Sequence, residues 1–223
     1  TNFNDASDGP EHDDKLAMAF DSNSNKVVIA HQLYNGDGVA IVGTVSGTSI
    51  SFGSEVSFNT GSGSSDSTNH IAATFDTTNN KVVIVYKDSN NSNYGTAIVG
   101  TVSGTSISFG SEAVFNSATT NAMDHISFNS DNGVLIAYLD SGTSDGKALW
   151  GTVSGTSISF DTATEFNDGN CWNIVALSSV IIYMEGSDGK ARVLSIPEFS
   201  SLLMPIASVL LIVGFNYRRR ESS

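Results

Sequence analysis

The chain has 223 residues, a formal net charge of −13 and only 15% charged residues, and Ser, Thr, Asn and Gly fill most polar positions. Its few cations before the tail (Lys15, Lys26, Lys81, Lys87, Lys147, Lys190 and Arg192) are scattered, which argues against a nucleic-acid partner because phosphate binding needs clustered Lys and Arg. Cys171 stands alone, so no intrachain disulfide is possible.

In chain order, the first feature is Phe3-Asn4. It lies 17 residues before Phe20, as Phe58-Asn59 lies 17 before Phe75, and the pair recurs at Phe115-Asn116 and Phe166-Asn167. Residues 1–12 therefore read as the tail of a preceding repeat, and the chain as part of a longer parent whose export signal would lie upstream. Three full repeats follow, 13–59, 69–116 and 122–167, and a partial one at 172–195. The decapeptide GTVSGTSISF stands at Gly43–Phe52, Gly100–Phe109 and Gly151–Phe160, at spacings of 57 and 51 residues. Copies of that length are supersecondary units that bury their apolar faces only by stacking.

The second repeat shows the unit most clearly. His70–Asp76 is a strand, Thr77–Asn80 a turn, Lys81–Asp88 a nearly continuous apolar strand and Ser89–Gly95 a loop. Thr96–Ser103 is the third strand. Ser106–Asn116 alternates through Ile107 and Phe109 and is predicted as the fourth. Gly104-Thr105 between them suits a two-residue type II′ hairpin. Short turns make each repeat an antiparallel meander. The second strands, around Val27–Ile29, Val82–Tyr86, Val134–Tyr138 and Val180–Tyr183, are apolar at both parities, whereas a sheet with one wet face would alternate. The expected fold is all-β: four-stranded antiparallel sheets packed face to face as β-propeller-like blades, about 3.5 of them. The orphan strand at Thr1–Asn4 carries the strand-four pattern missing from the last blade. The repeats resemble the blades of bacterial and archaeal surface β-propellers, and a β-solenoid is the rival architecture.

Residues 196–223 differ in kind. Leu202–Phe215 is uncharged, and at about 1.5 Å per residue it reaches roughly 21 Å, against a hydrocarbon layer of about 30 Å. Flanking Phe199 and Tyr217 and snorkelling Arg stems extend it, so a C-terminal transmembrane helix is expected. Arg218, Arg219 and Arg220 would hold its end in the cytoplasm and leave the blades outside. Pro197-Glu198-Phe199, the apolar segment and the Arg cluster together resemble an archaeal PEF-CTERM sorting signal. That resemblance implies processing by an archaeosortase-type enzyme and anchoring at the cell surface.

Candidate chemistry is sparse. Ser144–Trp150 is the nearest approach to a sialidase Asp-box, but its Gly is one place early, and a single Arg in the body cannot form the carboxylate clamp. Asp21, Asn23, Asn25 and Asp76 place oxygens at turns as a calcium loop does. Ca2+ is the one cofactor considered, although calcium wants several carboxylates and these residue types also suit tight hairpins. His12, His70 and His125 each precede a first strand and would converge at one channel mouth as ligand or metal residues if those strands line it. No nucleophile elbow or carboxylate pair stands out. The expected function is non-catalytic: a surface-displayed repeat protein for adhesion or for glycan or protein binding. The alternative is a fragment of an extracellular glycoside hydrolase or lyase.

Overall fold

The computed structural model describes residues 15–61, 67–123 and 125–194. The sorting motif Pro197–Phe199, the apolar segment and Arg218–Arg220 lie outside them, as do His12 and Phe3-Asn4. No helix among the described residues is long and apolar enough to cross a membrane, which says nothing about a β-barrel.

The described chain is all-β, with one 3-10 turn at Ser89–Asn91. The first repeat comprises β1 (Leu16–Asp21), β2 (Lys26–Gln32), β3 (Gly38–Ser46), β4 (Ser49–Phe52) and β5 (Val56–Asn59). The second holds β6 (Thr68–Asp76), β7 (Lys81–Asp88), β8 (Tyr94–Ser103), β9 (Ser106–Phe109) and β10 (Ala113–Asn121). The third holds β11 (Ile126–Asn129), β12 (Gly133–Asp140), β13 (Asp145–Ser154), β14 (Ser157–Phe160) and β15 (Thr164–Asn167). The fourth is a three-stranded meander of β16 (Trp172–Leu177), β17 (Val180–Glu185) and β18 (Asp188–Val193). All pairings are antiparallel.

The predicted fourth strand is divided. In the second repeat, β9 and the start of β10 pair with the two ends of β8, and the break falls at Gly110, whose N–H donates to the Val99 carbonyl. Gly53 to Val42 and Asp161 to Trp150 repeat that bond. The break lets the strand bulge outward while staying on the same neighbour. A second departure is β10. It runs past the expected boundary at 116, and Thr120 and Asn121 pair with Asp140 and Leu139 of β12, which merges the second and third repeats into one ten-stranded sheet. Thr68 lies nine positions after Asn59, but Thr120 only four after Asn116, and the shorter connection continues straight into the next repeat.

The turns carry the expected chemistry. Gly47, Gly104 and Gly155 have φ of 59°, 63° and 62°, while the Thr that follows each is not left-handed, which is the type II′ pattern.

Parity decides the core. Val82, Ile84 and Tyr86 of β7 pack with Ala19, Val28, Ala30, Ala40 and Val42 of the first repeat. The alternate residues Val83 and Val85 pack with Val134, Ile136 and Tyr138 of β12. All five of these β7 residues are 0% exposed. β12 repeats the pattern, since Leu135 and Ala137 are buried on its other face. Burying each such side chain contributes about 1.5–3 kcal/mol. In β17 only one parity is covered: Ile181 and Tyr183 are buried while Ile182 is exposed.

The decapeptide's side chains are consumed by stacking. Gly100 lies beneath Ile107 and Phe109, where a Cβ would approach the Ile107 side chain to 2.6 Å. The hairpin tip of each repeat then presses on the preceding one: a Cβ at Gly110 would come within 2.0 Å of the Thr156 carbonyl oxygen, and one at Gly53 would clash with that of Thr105.

The Phe-Asn pairs form a second inter-repeat clasp. Phe58, Phe115 and Phe166 cover Gly38, Gly95 and Gly146, where a Cβ would lie 2.5, 2.5 and 2.6 Å from the ring. Each ring also meets a tyrosine of the next repeat: Tyr86, Tyr138 and Tyr183, at 5.2, 5.3 and 5.0 Å between centroids. The amides of Asn59 and Asn116 donate to the Thr68 and Thr120 hydroxyls at 3.0 and 2.9 Å.

Candidate functional site

The first strands of successive repeats pack side by side, β1 on β6, β6 on β11 and β11 on β16. Together they border a cavity of about 590 Å³. Phe20, Phe75 and Phe128, which close the first strand in three successive repeats, line it with Met18 and Leu177. Thr74, Thr77, Ser127 and Ser130 supply hydroxyls, and His125 is the only ionisable lining residue among the described residues. Phe20 is 52% exposed, so one ring face is open to solvent. The buried Ser127 Oγ has no hydrogen-bond partner among the described residues. A cavity of uncharged hydroxyls and aromatic faces suits a neutral ligand with both apolar and hydroxyl surfaces.

Of the three histidines, His12 lies outside the described residues, and His70 and His125 border different cavities. His125 borders this cavity, and its Nδ1 lies 3.3 Å from the Ala176 carbonyl oxygen. His70 lines a different cavity, of about 540 Å³, with Asn121, Leu139, Cys171 and Trp172. The cause is backbone phase. His70 occupies a left-handed position (φ 48°) inside a bulge between Asn69 and Ala72, a place taken by Ala122 and Asn173 in the later repeats. His125 comes after that position, directly before β11. Among the described residues no group of three His, Cys, Asp or Glu is placed to hold a metal ion.

The turn residues considered for calcium serve their own hairpins. Asp21 Oδ1 accepts from the N–H groups of Asn23 and Ser24, each at 3.0 Å, and Oδ2 from the Ser24 hydroxyl at 2.5 Å. Asp76 accepts from Thr78 and Asn79 N–H at 2.9 Å and from the Asn79 amide at 2.8 Å. Asn25 and Asn80 close the two turns at positive φ. These are Asx turns, in which each carboxylate accepts three hydrogen bonds from its own hairpin.

Two further polar groups are placed by the fold. Burial alone would raise the Asp140 carboxyl, but the Lys147 ammonium at 2.6 Å, the Gly142 N–H at 2.9 Å and the Asn116 amide outweigh it and hold it below the usual carboxylate range. Burial, with the charges of Glu185 and Asp145, pushes the Cys171 thiol up to about 11, the state of an inert structural cysteine.

The sequence signal for the cavity is the recurring Phe of the first strands, Phe20, Phe75 and Phe128, beside which His125 also stands. No protein-family model and no curated protein matches the chain.

Proposed function

We propose that this chain is a non-catalytic binding module of β-propeller type, displayed at the cell surface and acting in adhesion through glycan or protein recognition. The observation that carries the reading is the cavity framed by the first strands, with its aromatic rings and hydroxyls and, among the described residues, no Asp, Glu, Lys or Arg in its lining. Packing of successive antiparallel repeats, with their first strands side by side along one cavity, supports the propeller reading. The Ser/Thr/Asn-rich sequence is compatible with exposure to sugars. For anchoring, the support is the order PEF, apolar run and Arg cluster at residues 196–223, which also implies an archaeosortase-type partner.

A glycan array run in parallel with a hydrolysis assay tests the binding role. Binding without turnover is expected, and the Phe20→Ala variant, which removes the open ring face, should lose binding and keep the fold. Measurable turnover would remove the non-catalytic reading. Deleting residues 196–223 should release the protein into the medium, and continued cell association would refute the anchor.

A further inference from the structure

The cavity of about 540 Å³ gathers the entries to the first strands of three successive repeats. His70, Ala122 and Asn173 hold the same place in those repeats, and all three line it. None is a glycine, yet each is left-handed, with φ of 48°, 48° and 50°. A side chain on such a backbone is strained, and strain of this kind gathers at ligand sites. The residue after each, Ile71, Met123 and Ile174, is buried and pins the corner to the core.

Trp172 supplies an open ring. It pairs with Met184 on the β16–β17 ladder and is 42% exposed. Three amides share the lining, those of Asn121, Asn170 and Asn173. The Asn121 amide donates to the Ser141 hydroxyl at 2.7 Å, and its oxygen accepts from the Lys87 ammonium at 3.3 Å, which fixes the group and leaves its second N–H to a ligand. Asn170 follows Gly169, whose N–H donates to Asp145 Oδ1 at 3.3 Å and whose carbonyl accepts from the Asn167 amide at 2.9 Å. The side-chain amides of Asn170 and Asn173 make no hydrogen bond among the described residues. Leu139 and Cys171 add apolar surface, and no Asp, Glu, Lys or Arg is among the described lining residues.

An open indole beside fixed amides matches a sugar. A pyranose ring offers C–H groups on its faces, which stack on an aromatic face, and hydroxyls at its rim, which meet amide donors and acceptors. An uncharged lining gives a carboxylate or phosphate nothing to pair with. A purely apolar ligand would cover the amides and leave them unpaired, at a cost. We propose that this cavity binds a neutral pyranose, its ring stacked on Trp172 and its hydroxyls held by Asn121, Asn170 and Asn173. The site is separate from the cavity of Phe20, Phe75 and Phe128, and it stands whatever that cavity binds.

The test follows the indole N–H signals of Trp150 and Trp172 in the full chain by NMR, assigned with Trp150→Phe. The probes are the methyl pyranosides of glucose, galactose and mannose, and N-acetylglucosamine, each at millimolar concentration, with glucuronate as the charged control. Single sugars are used because one stacked ring gives binding too weak to survive the washing of an array. At least one neutral probe should move the Trp172 signal saturably and leave that of Trp150 in place. By saturation transfer to the same probe, Trp172→Ala should weaken binding about tenfold. Asn173→Gly removes the amide but keeps the left-handed backbone, and should weaken it about threefold to tenfold. Phe20→Ala should leave the Trp172 shift unchanged, which separates this site from the other cavity. Silence of Trp172 toward every neutral probe, tighter binding of glucuronate, undiminished binding by Trp172→Ala, or loss of the shift in Phe20→Ala would each overturn the proposal.

Discussion

A glycine under a phenylalanine ring has no room for even a methyl group. Gly95 is the sharpest case, with the Phe115 ring 2.5 Å and Thr120 Oγ1 2.8 Å from where a Cβ would stand. Gly95→Ala should cost about 1–3 kcal/mol by overpacking, read as a fall in Tm. Phe115→Ala should cost about 3–5 kcal/mol by leaving a cavity. The double variant should lose less than the sum of the two single losses, because the clash with the ring has gone. Asp140 supplies a pH test. Its carboxyl is depressed in the folded state, so its contribution is fully present above the ordinary carboxylate value near 3.8 and is lost as pH falls through that value toward the folded one. Asp140→Asn should therefore lower stability at neutral pH and narrow its gap from the parent chain as the pH is taken below about 4; a gap independent of pH would contradict this. The glycines were legible in the sequence as a spacing, each Gly standing twenty residues before its Phe. Their partner was not, because it comes from a strand beyond two turns.

Among the elements, the outer hairpin and the break that receives it work as a pair. Gly53 and Gly110 take the Thr105 and Thr156 carbonyls of the next repeat. The corresponding residue of the third repeat is Asp161, and the described fourth repeat ends at its third strand, with no hairpin tip to receive. Gly53→Ala and Gly110→Ala should each destabilise by about 1–3 kcal/mol, whereas Asp161→Ala should stay within about 0.5 kcal/mol; thermal unfolding of the three variants checks the contrast. The meander, the turns and the type II′ glycines were legible because they follow from local chemistry at each tip. The division of the fourth strand was not, because period-two alternation runs through Ile107 and Phe109 with no sign of the break between Phe109 and Ala113. The separation of His70 from His125 was not legible either: His70 sits at a left-handed residue inside its first-strand bulge and His125 comes after the corresponding position, Ala122, which sequence offsets do not register.

For the whole molecule, what carried over from sequence to structure was the doubled parity of the second strands. Val82–Tyr86 is apolar at both parities because each parity meets a different neighbouring repeat. The fourth repeat shows the complement, with Ile181 covered and Ile182 open. The cavity was less legible because the repeated decapeptide residues serve packing, and the cavity is assembled from residues contributed by strands about fifty positions apart. The most direct measurement is thermal unfolding of Ile84→Asp and Val85→Asp, adjacent residues that point into opposite inter-repeat cores. Both variants should lose cooperative folding to a similar degree. Retention of near-parental stability by either one would mean that one face of this strand is not covered by a neighbouring repeat.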